Sequence, residues 1–124
     1  MQYKRKEPFR FHFQDPIPAT YKILKIYNEN NSKIGRADIL DVSPNGVRFK
    51  TDLNLPVNEK NFLIEMSFSI NKKQIRLIGD LIWKKTFHSY YIYGLVGRDD
   101  AETKLEIIEE LKGFARVIQM GYKK

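Results

Sequence analysis

The chain has 124 residues, 42% of them hydrophobic and 30% charged, which is typical of a single globular domain and excludes a disordered protein. It contains no cysteine, and this excludes disulfides, zinc–thiolate centres and thiol nucleophiles. The formal net charge of +7 favours an anionic partner, such as a nucleotide, a nucleic acid or an acidic surface.

A basic segment opens the chain. Its first ten residues carry four positive charges against one negative charge, a balance of +3, from Lys4, Arg5, Lys6 and Arg10 against Glu7. Segments with several like charges rarely order on their own. We therefore predict a flexible basic arm over residues 1–15 and a single folded domain over residues 16–124.

The following stretches alternate between apolar and polar residues, which is the period of a strand with one buried face. The clearest of them places Phe62, Ile64, Met66 and Phe68 on one face. Strands are predicted over residues 20–28, 33–42, 46–51, 61–70, 74–85 and 90–97. Because short polar turns join them and no long helix intervenes, they are expected to pair antiparallel in a small barrel or sandwich.

The last part of the chain has the period of a helix. Its apolar residues recur at helical spacing, namely Leu105, Ile107, Ile108, Leu111, Phe114, Ala115 and Ile118. Asp99, with Glu102 three residues later, has the form of an N-terminal capping box. We predict a helix over residues 100–120 whose apolar stripe covers an open end or side of the sheet structure, or a partner.

The sequence supports neither a catalytic or metal-binding site nor a membrane-spanning segment. His12 and His88 are the two histidines, and neither has the spacing of a metal site or a recognisable nucleophile beside it. The expected protein is not an enzyme and needs no metal or cofactor. No segment approaches the roughly 20 apolar residues that span a bilayer, so a soluble, cytoplasmic protein without membrane insertion is expected.

The most specific local signal is the stretch DVSPNG at residues 41–46. Pro44 and Asn45 suit the centre of a β-turn, and Gly46 can take a positive φ without steric cost. Asp41 and Ser43 stand two residues apart, so both side chains point to one face of the strand. There a carboxylate can accept from N1 and N2 of guanine, and a hydroxyl can donate or accept beside it. The alternative is that both residues cap the turn by bonding to its backbone.

Two short motifs, taken together, resemble the PilZ domain family, whose members are receptors for the bacterial second messenger cyclic di-GMP. The family's D-x-S-x-x-G motif is matched in full by Asp41, Ser43 and Gly46. The family's arm motif, R-x-x-x-R, is matched at its second arginine by Arg10, while Lys6 stands where the first arginine is usual.

Later stretches extend the resemblance to nearly the whole chain. IGDLIWKK at residues 78–85 and YYIYGLVG at residues 90–97 are similar to the family's fifth and last strands. The resemblance implies a mainly β fold, a small six-stranded antiparallel β-barrel of the split-barrel type with a C-terminal α-helix.

The resemblance also implies that cyclic di-GMP binds between the arm and the turn. The implied ligand-binding residues are Arg5, Lys6, Arg10, Asp41, Ser43 and Gly46, with Asn45, Trp83 and Arg36 as further candidates. Guanidinium groups bind both phosphates and guanine acceptors. We therefore expect Arg5 to compensate in part for the lysine at position 6, where the family motif has an arginine. Trp83 either stacks on a guanine or belongs to the barrel core. Arg36 and Arg48 either form a positive rim or belong to a solvated strand face.

Ligand binding is expected to draw the arm across the barrel and to create a surface that a partner protein or a second protomer reads. The partner, the number of ligands per chain and the choice between monomer and homodimer stay open.

Two alternative functions remain. One is a basic barrel that binds single-stranded nucleic acid on its 7 Tyr and 8 Phe residues, which the concentration of charge in one arm disfavours. The other is a PilZ-like interaction module that binds no cyclic di-GMP, which Lys6 keeps open.

Overall fold

The computed structural model describes residues 10–25, 34–59, 62–98 and 100–122 of the chain. Within these residues, six antiparallel strands close into a barrel in the order β1-β2-β3-β6-β5-β4. The strands are β1 (Phe11–Lys25), β2 (Ile34–Ser43), β3 (Gly46–Thr51), β4 (Phe62–Ser69), β5 (Gln74–Thr86) and β6 (Tyr91–Gly97), and one helix, α1 (Ala101–Tyr122), follows them. The predicted mainly β barrel with a C-terminal helix is confirmed.

Strand β1 begins at Phe11 rather than near residue 20. Prolines at positions 16 and 18 hide this strand from the alternation pattern, because proline cannot donate a hydrogen bond to a neighbouring strand. The first of them lies in an irregularity of the register between His12 and Ile17. Residues 11–15 of the predicted arm thus belong to the barrel, and residues 1–9 lie outside the described part of the chain.

The barrel is filled by aliphatic side chains and by a group of aromatic rings. Phe49 stacks on Tyr93 with ring centroids 5.4 Å apart, and Tyr21 lies 5.9 Å from Phe49. Burial raises the pKa of both tyrosines. Their hydroxyls are nevertheless hydrogen-bonded: that of Tyr93 donates to the Leu53 carbonyl at 2.7 Å, and that of Tyr21 lies 3.1 Å from the Thr51 hydroxyl. The core therefore contains polar groups whose partners are fixed.

The N-terminal cap of α1 is Asp100, one residue after the predicted Asp99, which lies outside the described residues. Asp100 Oδ1 accepts hydrogen bonds from the backbone N–H groups of Glu102 at 3.1 Å and Thr103 at 3.4 Å, and its Oδ2 accepts one from the Thr103 hydroxyl at 2.7 Å. Such acceptors stabilise a helix because its first N–H groups have no partner within it. The hydrogen bonds, that of the Thr103 hydroxyl first, lower the pKa of Asp100.

Helix α1 packs on the turn between β4 and β5 through a stripe shifted from the predicted one. Ile107 and Leu111 are buried, whereas Leu105 and Ala115 are exposed. Glu110, expected on the polar face, is buried as well. Its Oε1 accepts hydrogen bonds from three successive backbone N–H groups, those of Asn71 at 2.9 Å, Lys72 at 2.7 Å and Lys73 at 3.0 Å.

A second contact joins α1 to the start of β1. The ring of Phe114 lies 5.5 Å from those of Phe11 and Phe13, in edge-to-face arrangements. With the two phenylalanines held against the helix, the alternate residues Arg10 and His12 point to the other face of the strand. No helix in the described part of the chain combines the length and apolarity needed to cross a membrane.

Candidate functional site

A row of residues crosses five strands on the face opposite the core. The register places His12 of β1 opposite Asp41 of β2, and Asp41 opposite Arg48 of β3. It continues with Gly94 of β6 opposite Arg48, and Trp83 of β5 opposite Gly94. Because neighbouring strands lie about 4.8 Å apart, charged and aromatic groups from distant parts of the chain share one small surface.

Asp41 is the centre of an ion-pair cluster. Its side chain has 0% exposure, although it faces away from the core. Arg10 Nη1 donates to Asp41 Oδ1, and Arg48 Nε donates to Oδ2 at 2.6 Å. His12 Nδ1 lies 3.3 Å from the same Oδ2. One carboxylate between two guanidinium groups leaves the cluster with an excess of positive charge at the surface.

Ser43 serves both the turn and this cluster. Its hydroxyl accepts a hydrogen bond from the Asn45 backbone N–H at 3.3 Å, and Arg10 Nη2 lies 3.4 Å from the same oxygen. The expectation that Ser43 caps the turn is therefore confirmed. For Asp41 the corresponding expectation is wrong, because its carboxylate is bound by the side chains of Arg10 and Arg48.

Gly46 is required for a reason other than turn conformation. The described glycines all have negative or extended φ, so the expected use of a positive φ at Gly46 is wrong. A Cβ atom at this position would instead lie 2.1 Å from the carbonyl oxygen of Leu95. Gly46 thus allows β3 and β6 to approach each other at the edge of the site.

Beside the cluster lies a concavity of about 330 Å³. Its polar lining comes from Arg10, His12, Asp41, Ser43 and Arg48. Its apolar lining comes from Val47, Ile82, Trp83, Leu95 and Val96. This combination, at the small end of the roughly 300–1,000 Å³ typical of ligand sites, suits a flat ring that carries an anionic group.

Trp83 belongs to the concavity and not to the core. Its exposure is 39%, whereas Leu81 has 2%. An irregularity in the β5–β6 register between Leu81 and Trp83 explains the difference, because the extra residue, Ile82, shifts the alternation by one. The interpretation of Trp83 as a barrel residue is therefore wrong, and the indole is available on the surface.

Other predicted site residues lie elsewhere. Arg36 lines two different concavities, one with Pro18 and Thr20 and the other with Lys50. Asn45 is in the turn, where its carbonyl accepts a hydrogen bond from the Gly97 N–H at 2.8 Å. The two remaining candidates of the arm, residues 5 and 6, lie outside the described part of the chain.

Arg48 belongs to the site because of the hairpin register, and not to a solvated strand face. A two-residue turn at positions 44 and 45 pairs Ser43 with Gly46 and, two residues further along each strand, Asp41 with Arg48. The signal was therefore present in the turn itself. His12 and Gly94 have no comparable signal, because strand pairings outside this hairpin bring them to the site.

No known protein-family model matches the chain, and no curated protein matches it. The chemistry of the site is therefore the guide to its function. In the described part of the chain, no three His, Asp or Glu side chains are grouped so as to hold a metal ion. The site instead offers two partly exposed guanidinium groups, a buried carboxylate between them and an exposed indole. These groups suit a ligand with anionic oxygens and an aromatic ring system.

Proposed function

We propose that this protein is a cyclic di-GMP receptor of the PilZ type that binds the dinucleotide in the concavity beside residues 41–46. The observation that carries the proposal is the position of Arg10 and Arg48, which Asp41 holds at the edge of that concavity. Each phosphate of the ligand carries a negative charge, and each guanine offers O6 and N7 as acceptors. Planar guanidinium groups can bind both kinds of acceptor with two parallel hydrogen bonds.

The apolar part of the concavity supports the same ligand. The exposed indole of Trp83 can stack on a purine, and Ile82 and Val96, with exposures of 41% and 40%, add apolar surface beside it. A space of about 330 Å³ suits one nucleoside half of the ligand better than the whole. The other half would then extend beyond the concavity, and Arg5 and Lys6 would supply positive charge for its phosphate.

Binding would change the surface that the protein presents to a partner, and it would not catalyse a reaction. The ligand brings two negative charges to a cluster with excess positive charge, so the charge pattern beside β3 and β6 changes. A partner protein or a second protomer would read the new surface, and the protein would thus serve as an adaptor. As a receptor for a bacterial second messenger, it would act in the cytoplasm of a bacterial cell.

Isothermal titration calorimetry with cyclic di-GMP tests the proposal, with GTP and a short oligonucleotide as control ligands. We expect a Kd of about 1 μM or tighter, equal to roughly −8 kcal/mol or more of binding free energy. Arg10→Ala should weaken binding at least about tenfold through the loss of a charge-assisted contact. Lys6→Arg should preserve or strengthen it, because arginine restores the planar fork.

A matched control for Arg10→Ala is Arg76→Ala. Arg76 is an exposed arginine of β5 that pairs with Glu65 at 3.3 Å, away from the concavity, and its replacement should leave the affinity unchanged. Absence of heat with the unmodified protein would overturn the receptor proposal and favour an interaction module without this ligand. Binding of the oligonucleotide in place of cyclic di-GMP would favour a nucleic-acid-binding barrel.

A further inference from the structure

The carboxylate of Asp41 is covered by the side chains that bind it. Its exposure is 0%, while the side chains of Arg10 and Arg48 are 39% and 38% exposed. A ligand atom can therefore reach the Asp41 carboxylate only after a neighbouring side chain, such as that of Arg10, His12 or Arg48, has moved. Such a movement would leave a buried carboxylate with fewer partners, which is costly.

Arg48 binds Asp41 with one part of its guanidinium group. The donor is Nε, at 2.6 Å from Asp41 Oδ2. The two Nη groups hold the other four of the five N–H donors. Among the described residues, the side chain of Arg48 forms one hydrogen bond, that of Nε, and Arg48 lines the concavity.

We propose that Arg48 binds the ligand directly and that Asp41 is a positioning residue that orients Arg48 and Arg10. The inference rests on the proposed function. In this arrangement the guanine is recognised at its O6 and N7 atoms by the Nη groups of Arg48, and the Asp41 carboxylate does not accept from N1 and N2. Arg48 also supplies the site with a second fixed arginine beside Arg10, in a chain that has Lys6 in its arm.

The geometry favours this assignment over a purely structural ion pair. A guanidinium group held at Nε has its outer edge fixed in direction, so little conformational freedom is lost when a bidentate acceptor binds. The O6 and N7 atoms of guanine present such a pair of acceptors, and their bidentate contact with arginine is common in base recognition. The bond between Arg48 and Asp41 is kept throughout.

Ligand analogues distinguish the two edges of the base without any change to the protein. Cyclic di-IMP lacks the exocyclic amino group of guanine but keeps O6 and N7, and the 7-deaza analogue of cyclic di-GMP lacks N7. We expect cyclic di-IMP to bind within about threefold of cyclic di-GMP, and the 7-deaza analogue to bind at least about tenfold more weakly. The reverse order would assign the recognition to Asp41 and overturn the inference.

Variants then test the two residues. Arg48→Lys should weaken cyclic di-GMP at least about tenfold and remove the discrimination against the 7-deaza analogue, because an ammonium group cannot form the bidentate contact. Arg76→Lys is the matched control and should change neither quantity. Asp41→Asn should weaken binding but leave the ratio of affinities for cyclic di-GMP and cyclic di-IMP unchanged. This ratio would change only if Asp41 itself accepted a hydrogen bond from the exocyclic amino group of guanine.

The outcomes separate the inference from the proposed function. If the unmodified protein binds no cyclic di-GMP, the proposed function itself fails. If it binds and Arg48→Lys, folded by circular dichroism, binds equally well, the role of Arg48 is wrong while the receptor stands. If Asp41→Asn abolishes the preference for cyclic di-GMP over cyclic di-IMP, Asp41 reads the base directly and the positioning role is wrong.

Discussion

The indole of Trp83 lies directly over Gly94. A Cβ atom at position 94 would stand 2.2 Å from Trp83 Nε1 and 2.5 Å from Cε2. Gly94 is opposite Trp83 on β5 and opposite Arg48 on β3, so the missing side chain leaves room for the ring on β6, between these two neighbouring strands. Gly94 is thus part of the site although it contributes no functional group.

Replacement of Gly94 by alanine should displace the indole and weaken binding of cyclic di-GMP. Stacking of a base on an aromatic side chain contributes about 1–3 kcal/mol, so a loss of roughly 5- to 150-fold in affinity is expected. Trp83 is the single tryptophan, and its intrinsic fluorescence reports the displacement. In the double variant with Trp83→Ala, Gly94→Ala should add no further loss. Additive losses would show that Gly94 acts independently of Trp83.

Replacement of Gly46 by alanine should destabilise the fold, although its φ is one that alanine can adopt. Gly46→Ala brings a Cβ atom to 2.1 Å from the Leu95 carbonyl oxygen, which is backbone and cannot move without opening the β3–β6 pairing. We expect a loss of about 1–3 kcal/mol in the free energy of unfolding, measured by urea denaturation. Gly113→Ala is the matched control, because its Cβ meets only the flexible amide end of Asn71 and alanine favours the helix. An equal loss in both variants would contradict this explanation.

Local patterns were sufficient for most of the fold. The predicted strands over residues 33–42, 46–51 and 90–97 agree closely with β2, β3 and β6, because alternation and turn residues are properties of neighbouring positions. Prolines at positions 16 and 18 hide the start of β1 from the alternation pattern, and the partner of its aromatic residues, Phe114, lies on the distant helix. The stripe of α1 was displaced for the same reason, since the turn that binds Glu110 decides which face is buried.

The site was predictable only in part. The D-x-S-x-x-G stretch placed Asp41 and Ser43 on one face, but it could not choose the partners of the carboxylate. One partner, Arg48, follows from the hairpin register, whereas the other, Arg10, comes from 31 positions earlier through the β1–β2 pairing. The exposure of Trp83 depends on the register irregularity after Leu81. The residue types in that stretch do not predict this irregularity.

A buried hydroxyl in the core gives a third test. The Tyr93 hydroxyl donates to the Leu53 carbonyl at 2.7 Å and accepts from the Leu55 N–H at 2.6 Å. Tyr93→Phe leaves that N–H without its partner, and we expect the free energy of unfolding to fall by about 1–3 kcal/mol. Tyr90→Phe, at the surface where the ring stacks on Phe87, should change it little. Equal stability of Tyr93→Phe and the unmodified protein would mean that water replaces the lost contact.

The contact between Glu110 and the β4–β5 turn should make the stability of the protein depend on pH. Burial by itself would raise the pKa of Glu110, but the backbone N–H groups of residues 71–73 and the charge of Lys73 outweigh it, and the pKa lies below its ordinary value of 4.5. A carboxyl group with a lower pKa in the folded state stabilises the fold fully above its unfolded pKa. This contribution is lost as the pH falls through the folded pKa.

Urea denaturation of Glu110→Gln and of the unmodified protein at several pH values measures this contribution. At pH 7 the variant should be less stable by about 1–3 kcal/mol, because hydrogen bonds to a charged acceptor are replaced by bonds to a neutral one. The difference should stay constant down to about pH 5 and shrink below the ordinary value of 4.5. Asp100, whose pKa is also lowered, is present in both proteins, so its effect cancels. Glu109→Gln, on the exposed side of α1, should show no such difference. A difference for Glu110→Gln that persists unchanged at pH 3 would show that the carboxylate charge does not hold the helix on the turn.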